Sequence, residues 1–360
     1  MSDTVLPPQI RQRTVAKAHV LLEALPFMQE HHGKVIVVKY GGAAMERAPL
    51  AASFAQDIAL LQSAGILPVI VHGGGPQVTK VSARLGIETT FVDGVRVTDA
   101  ETLDVATMVL AGKLNTEVVA SLVTGGVPAV GLSGVDGGLL LARRQAAPDL
   151  GFVGEVVHVN PDVVRTLMAE RFVPVVASIA VDEFGQAYNV NADVVAAELA
   201  IALGAEQLVF LNDVPGLIGP TGDLLSELSA EQCLDMLGQT GVVEGGMIPK
   251  LESAVDAIKA GIGRVHLVDG RVEHSLVLEL FTPEGVGTMI TPDAPPKTPS
   301  HPHDSCIPKC SASVTVLPGL KPNALTASPS TSSFAMPAQA SAAWVASQRC
   351  SSSPWLGLFP

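Results

Sequence analysis

Four charged side chains stand where apolar runs give way to glycine or to the start of a helix, and together they point to phosphoryl chemistry. Lys39 closes the run Lys34-Val35-Ile36-Val37-Val38 just before Gly41-Gly42. Arg96 lies in Gly94-Val95-Arg96-Val97-Thr98, Asp193 ends Asn189-Val190-Asn191-Ala192-Asp193, and Lys250 ends Gly245-Gly246-Met247-Ile248-Pro249-Lys250. A further loop, Gly73-Gly74-Gly75, follows Val69-Ile70-Val71-His72 and runs into Pro76-Gln77. Glycine has no Cβ, so such loops turn sharply and bring backbone N–H groups to an anion at a helix start. Phosphoryl transfer asks mainly for positioning and charge neutralisation, which two lysines and glycine-loop N–H groups supply. No Cys or His nucleophile pattern competes, and the Walker pattern is absent.

Each feature also has a plainer reading. A tight strand-to-helix turn without a ligand uses the same glycines, and a lone arginine on a hairpin is usually solvated. Asn191 or Asp193 can be the helix N-cap, which accounts for one of them. It does not account for Asn189, Asn191 and Asp193 at alternate positions, which would share one side if the chain were extended there. Lys250 in a first helical turn is electrostatically misplaced unless an anion lies nearby.

These residues need a frame, and the apolar pattern predicts one. Strand-like runs at Lys34–Tyr40, Leu67–Val71, Pro128–Leu132, Val173–Ala177, Leu208–Leu211, Arg264–Val268 and Gly287–Ile290 alternate with helical stretches near 47–64, 76–85, 100–124, 194–203, 245–260 and 275–280. That rhythm predicts a parallel sheet with right-handed crossovers, its ligands at the carboxyl ends of the strands. Asp93-Gly94 between alternating apolar residues marks a hairpin, and Gly154–Val159 reads as a strand outside the alternation. A helical pattern from Ile10 to about Glu30, split by Pro26, precedes the first strand. Asn212-Asp213-Val214-Pro215-Gly216-Leu217-Ile218 leaves its strand as an apolar loop, fit either to line a flat ring or to be a strand-end turn.

The composition narrows the class. With 360 residues, 48% of them hydrophobic, the chain can build a sizeable core, and a formal charge of −13 argues against a nucleic-acid or anionic-membrane binder. No signal-peptide design opens the chain, and a cytoplasmic protein is expected. Four cysteines are too few and irregular for a disulfide framework. Cys306 and Cys310 lack the second pair of a metal knuckle. Beyond about Pro295 the chain turns to Ser, Pro, Ala and Thr without amphipathic period, and residues 296–360 are expected to be a disordered, appended tail.

Taken in order and spacing, Lys39-Tyr40-Gly41-Gly42, His72-Gly73-Gly74-Gly75-Pro76, the Arg96 hairpin, the Asn189–Asp193 run, Asn212–Leu217 and Gly245–Lys250 resemble the amino-acid kinase family, within it the branch acting on N-acetyl-L-glutamate. The resemblance covers about Lys34 to Ile290. It implies a three-layer α/β/α sandwich around an open, mainly parallel eight-stranded sheet, with an N-terminal extension helix (1–33), a substrate-binding half (34–180) and a nucleotide-binding half (181–295). It implies transfer of the ATP γ-phosphoryl group to the side-chain carboxylate of N-acetyl-L-glutamate, in arginine biosynthesis. Lys39 and Lys250 would stabilise the transferring group, with Asp193 holding them. Gly42, Gly74 and Gly75 would donate N–H groups, Arg96 would clamp the substrate's α-carboxylate, and Asn189 and Asn191 would help bind it. Gly41, Asp213, Val214, Gly216, Leu217, Ile218, Gly246 and Met247 would hold the nucleotide. Mg²⁺ would come with ATP, held by phosphate oxygens and water rather than by protein ligands.

Members of the family with such an N-terminal helix are arginine-inhibited homohexamers, trimers of dimers, and the resemblance carries His266, Glu279 and Gly285 onto their effector site. Glu279 is expected to take the guanidinium in two parallel hydrogen bonds. Other classes stay open: a sibling kinase acting on aspartate, glutamate, carbamate or UMP, and a non-catalytic amino-acid sensor on the same fold. A nicotinamide-dependent oxidoreductase is disfavoured because no Gly-x-Gly-x-x-Gly follows the first strand.

Overall fold

The computed structural model describes residues 8–293, apart from 93, 220, 240–242 and 244. The tail expected at 296–360, with Cys306 and Cys310, lies outside them. The chain runs α1 (Pro8–His31), β1 (Val35–Tyr40), α2 (Ala43–Glu46), α3 (Ala48–Ser63), β2 (Leu67–His72) and α4 (Gly75–Arg84), then a hairpin of β3 (Phe91–Val92) and β4 (Val95–Arg96). A long helix follows as α5 (Ala100–Thr107), π-helical turns Met108–Leu114 and α6 (Asn115–Thr124). Next come β5 (Ala129–Ser133), β6 (Leu140–Arg144), β7 (Gly154–Val159), α7 (Asp162–Ala169), β8 (Val173–Ala177), β9 (Ile179–Val181), β10 (Ala187–Asn189) and α8 (Ala192–Leu203). The chain ends its described part with β11 (Gln207–Asn212), β12 (Glu227–Ser229), α9 (Ala230–Gly238), α10 (Met247–Lys259), β13 (Arg264–Asp269), α11 (Ser275–Phe281) and β14 (Thr288–Thr291).

The main sheet has eight strands in the order β12-β14-β13-β11-β1-β2-β8-β5. Its pairs are parallel except β13 with β14. Strand parity makes the layers. Ile36, Val38 and Tyr40 turn to one face, against α3, α6 and α11, while Val37 turns to the other, against α8 and α10. Both faces of β1 are therefore dry, which is why its sequence is an unbroken apolar run rather than an alternating one. This is the α/β/α sandwich expected from the sequence. The order reverses at β1, which lies between β2 and β11, so the loops after these three strands open onto one crevice.

Gly154–Val159 finds its place in a second sheet, β10-β9-β6-β7, whose other strands had no regular signal. Two local expectations change. Helix α1 runs through Pro26 without a break. Proline removes one hydrogen bond, the one to the carbonyl of Leu22, and Leu22 is exposed, so water can take that acceptor. The stretch Asn189–Asp193 is not extended throughout: Asn189 ends β10, Asn191 caps α8, and Asp193 lies in its first turn. By length and composition Ala100–Thr124 is apolar enough to cross a membrane. In this fold its Val118 and Leu122 belong to the core between α3 and the sheet.

Candidate active site

Lys39 shares the face of Val37, so the fifth residue of β1 emerges toward α8 and α10 at the carboxyl rim. There Asp193 meets it. Lys39 Nζ lies 3.0 Å from Asp193 Oδ1 as an ion pair off the hydrogen-bonding angle, and Lys250 Nζ donates to Oδ2 at 2.8 Å. Asp193 is 4% exposed. Burial pushes its carboxyl pKa up, but the two ammonium groups outweigh that and hold it below its ordinary value. Its place in the first turn of α8 adds the favourable end of the helix dipole. Asn191 fixes that turn, its side chain accepting the Asp193 N–H at 2.8 Å. Asn191 is thus the cap, and Asn189 and Asn191 nevertheless line one cavity.

That cavity, of about 280 Å³, is walled by Lys39, Gly41-Gly42, Gly73-Gly74-Gly75, Arg96, Asn189 and Asn191. Arg96 is 7% exposed rather than solvated. Its Nη2 donates to Gly75 O and Thr79 Oγ1, both at 2.8 Å, and the guanidinium lies 4.8 Å from the centre of the Phe91 ring. Its Nη1 is buried and has no partner among the described residues. Such a donor is costly unless an acceptor arrives. Burial lowers the Arg96 pKa from its usual value. Asn189 Nδ2 donates to Thr98 Oγ1 at 3.3 Å, tying β10 to the strand end that carries Arg96.

The other side of the crevice carries the residues expected at the nucleotide. Gly42, at φ 62°, gives way to the Asp213 carboxylate, which occupies the space a Cβ would need. Val214 and Ile218 are exposed at the loop surface, whereas Leu217 is buried in the core and its N–H is held by Thr288 Oγ1 at 2.9 Å. Its carbonyl accepts the Leu225 N–H at 2.9 Å, so Leu217 shapes the loop rather than offering a ligand a free group. Gly246 caps α10, and Met247 packs partly against the core. Asn212 escaped the sequence reading: it ends β11, and both polar atoms of its side chain are buried without a partner among the described residues. His72 and Asn115 escaped it as well.

His266, Glu279 and Gly285 come together at the opposite rim, around a cavity of about 300 Å³ that also takes in Glu30 of α1, Gln207 and Glu284. Glu279 is not open to two parallel bonds. Its Oε1 pairs with His266 Nδ1 at 2.8 Å, and Oε2 accepts the N–H groups of Val286 and Gly287 at 2.7 and 2.9 Å. A guanidinium reaching this carboxylate has to share or displace those partners. Burial raises the Glu279 pKa, and the His266 and backbone hydrogen bonds more than offset it, leaving the carboxyl below its ordinary value.

The family model described as "Amino acid kinase family" matches residues 34–269. The acetylglutamate kinase of Symbiobacterium thermophilum is 50% identical over 290 residues, 78% of this chain and 99% of that protein. The acetylglutamate kinase of Bordetella avium is 48% identical over 300 residues, 81% of this chain and 99% of that protein. Among solved structures, N-acetylglutamate synthase from Neisseria gonorrhoeae complexed with coenzyme A and N-acetyl-glutamate superposes with a TM-score of 0.70 at 27% identity, over 77% of this chain and 64% of that one. The same synthase complexed with coenzyme A and L-arginine gives 0.67 at 25% identity, over 77% and 66%. This chain thus spans a little under two thirds of the synthase. With nearly the whole length of the kinases matched, the chain belongs to the acetylglutamate kinases of the amino acid kinase family.

Proposed function

We propose that the crevice at the carboxyl ends of β1, β2 and β11 transfers the γ-phosphoryl group of ATP to the side-chain carboxylate of N-acetyl-L-glutamate, giving N-acetyl-L-glutamyl 5-phosphate for arginine biosynthesis. The observation that carries this reading is Asp193 bridging Lys39 and Lys250 beside a cavity into which a buried, half-paired Arg96 projects. The acceptor carboxylate is ionised near neutral pH, so no general base is needed. One of its oxygens attacks the γ-phosphorus while the bond to the bridging oxygen breaks and ADP leaves with the electron pair. Lys39 and Lys250 neutralise the oxygens of the group in flight, and Asp193 keeps both ammonium groups aimed there. The N–H groups of Gly42, Gly74 and Gly75 add fixed dipoles. Arg96 Nη1 takes the α-carboxylate, and Asn189 and Asn191 line the rest of the acceptor pocket.

The loop Asp213–Ile218, Gly41 and the start of α10 hold the nucleotide in this reading. Mg²⁺ fits as a companion of ATP, because the buried carboxylate of the crevice is already bound to two ammonium groups and leaves coordination to phosphate oxygens and water. When bound, it would neutralise phosphate charge. The test is ATP turnover with N-acetyl-L-glutamate, glutamate, aspartate, carbamate and UMP, with hydroxylamine trapping any acyl phosphate. Trapped product with N-acetyl-L-glutamate is expected; turnover with another acceptor in its place would overturn the assignment.

For regulation, the same reading makes the amino-rim cavity an arginine site. Glu30, Glu227, Glu279 and Glu284 around it favour a cation, and Arg264 is already paired with Glu30 at 2.9 Å. Val20, Leu21 and Leu22 are all more than 60% exposed on α1, a run that a neighbouring subunit would cover in a homohexamer.

A further inference from the structure

His72 ends β2 with none of its surface exposed, and its two ring nitrogens have different partners. Nδ1 lies 3.0 Å from the carbonyl oxygen of Gly73, and Nε2 lies 3.1 Å from the Asn115 side-chain nitrogen. That nitrogen also faces Val175 O at 2.9 Å and Leu132 O at 3.2 Å. Carbonyl oxygens only accept, so the Asn115 atom is the NH₂, and an NH₂ only donates. His72 Nε2 must therefore accept, which puts the ring proton on Nδ1 and makes Nδ1–H the donor to Gly73. Two amide hydrogens serve three acceptors, so one of them is shared. Burial lowers the His72 pKa despite the Gly73 bond, in keeping with a neutral ring.

The consequence lies one peptide further on. The Gly73–Gly74 bond is trans, so its C=O and N–H point in opposite directions. A carbonyl drawn to a buried His72 turns the Gly74 N–H the other way, toward the cavity that Gly73, Gly74 and Gly75 wall. The surroundings are built for this. A Cβ at Gly131 would fall on Asn115 Oδ1, and a Cβ at Gly74 would strike Leu114 and Leu110. Asn115 is the first residue after the π-helical turns, whose extra residue per turn rotates all that follows around the helix axis.

We infer that His72 and Asn115 are a positioning pair that sets the Gly73–Gly74 peptide and so aims the Gly74 N–H at the oxygen that gains charge during transfer, an inference that rests on the phosphotransfer reading above. The test replaces His72 in the full-length chain. Asn at this position keeps an N–H where Nδ1 was, and Leu does not. His72→Leu should lower kcat about 10²-fold with the KM for ATP within about twofold, and His72→Asn should bring kcat back to within about fivefold of the parent. A folded His72→Leu with parental kcat, or equal losses in both variants, would overturn the pairing. Should neither variant fold, ¹⁵N spectra of the parent labelled at histidine decide: a neutral Nδ1–H ring at His72 supports the inference, and the Nε2–H form refutes it. A parent that fails to phosphorylate N-acetyl-L-glutamate would undo the substrate reading and leave the ring assignment standing.

Discussion

Asp193 and Glu279 are two buried carboxylates at opposite rims of one sheet, and what holds each of them differs. Asp193 is gripped by side chains alone, the ammonium groups of Lys39 and Lys250. Glu279 is gripped by one imidazole and by the main-chain N–H groups of Val286 and Gly287. Long, partly exposed lysines can follow a moving charge. Backbone donors cannot, so Glu279 fixes the loop around Gly285 as firmly as the loop fixes it. Mobile cations suit a phosphoryl group in transit, while a loop clamped to one carboxylate suits a site that must report whether a ligand has disturbed the clamp.

Four experiments test whether the two rims divide chemistry from control. The largest effect should come from Asp193→Ala, which leaves two lysines undirected: kcat should fall by about 10³-fold while the circular dichroism spectrum stays that of the parent. Near-parental turnover would remove Asp193 from the mechanism. Arg96→Ala comes next, with the KM for N-acetyl-L-glutamate rising by about 10²-fold and that for ATP changing little, measured by steady-state kinetics in both substrates. Equal rises would place Arg96 outside the acceptor pocket. If the amino-rim cavity is the proposed arginine site, millimolar arginine should inhibit the intact chain, and Glu279→Ala should lose that inhibition with kcat within about threefold. If the proposed hexamer forms through α1, light scattering should find it for the intact chain and find dimers once the residues before about Gln29 are deleted, with the smallest effect on kcat of the four.

Acid separates the rims less than substitution does, because both carboxylates are held below their ordinary values, near 3.8 for Asp193 and 4.5 for Glu279. Each contributes stability that is present above its unfolded value and is lost as the pH falls through the depressed folded one. Glu279→Gln should therefore be less stable than the parent in urea at pH 7, with the gap closing below about pH 4. A gap that stays constant down to pH 3 would mean that charge on Glu279 does not matter to the fold.

Much of this was legible because the relevant signals are local. Val35–Val38 and Val69–Val71 announce buried parallel strands, and glycine immediately after them announces the rim. Arg96, Asp193 and Lys250 stand in short runs whose spacing is fixed by a hairpin or a helix start. What escaped is non-local or irregular. His72 and Asn115 are 43 residues apart, and nothing in either neighbourhood says that a π-helical insertion will bring them together. The strands β6, β9 and β10 are five residues long or shorter, with no period long enough to read. Glu279 looked like an open carboxylate because its backbone partners come from a turn that only the folded loop creates. The continuity of α1 through Pro26 was missed because a solvent-facing carbonyl tolerates a loss that a buried one would not.

The pairing of β1 with β11 has a mechanical consequence. Ile36–Lys39 lie in parallel register with Gln207–Phe210, so the strand that carries Lys39 and the strand that leads into Asp213 are laced into one sheet. Pulling them apart would break a ladder at about 1 kcal/mol net per hydrogen bond, whereas a twist keeps the ladder and works only against the helices packed on its two faces. β11 begins at Gln207, which lines the amino-rim cavity, and ends at Asn212 beside the crevice, a span of about 17 Å at strand rise. A ligand seated against Gln207 would therefore press on the start of a continuous strand whose far end stands at the crevice, with no loop between the two.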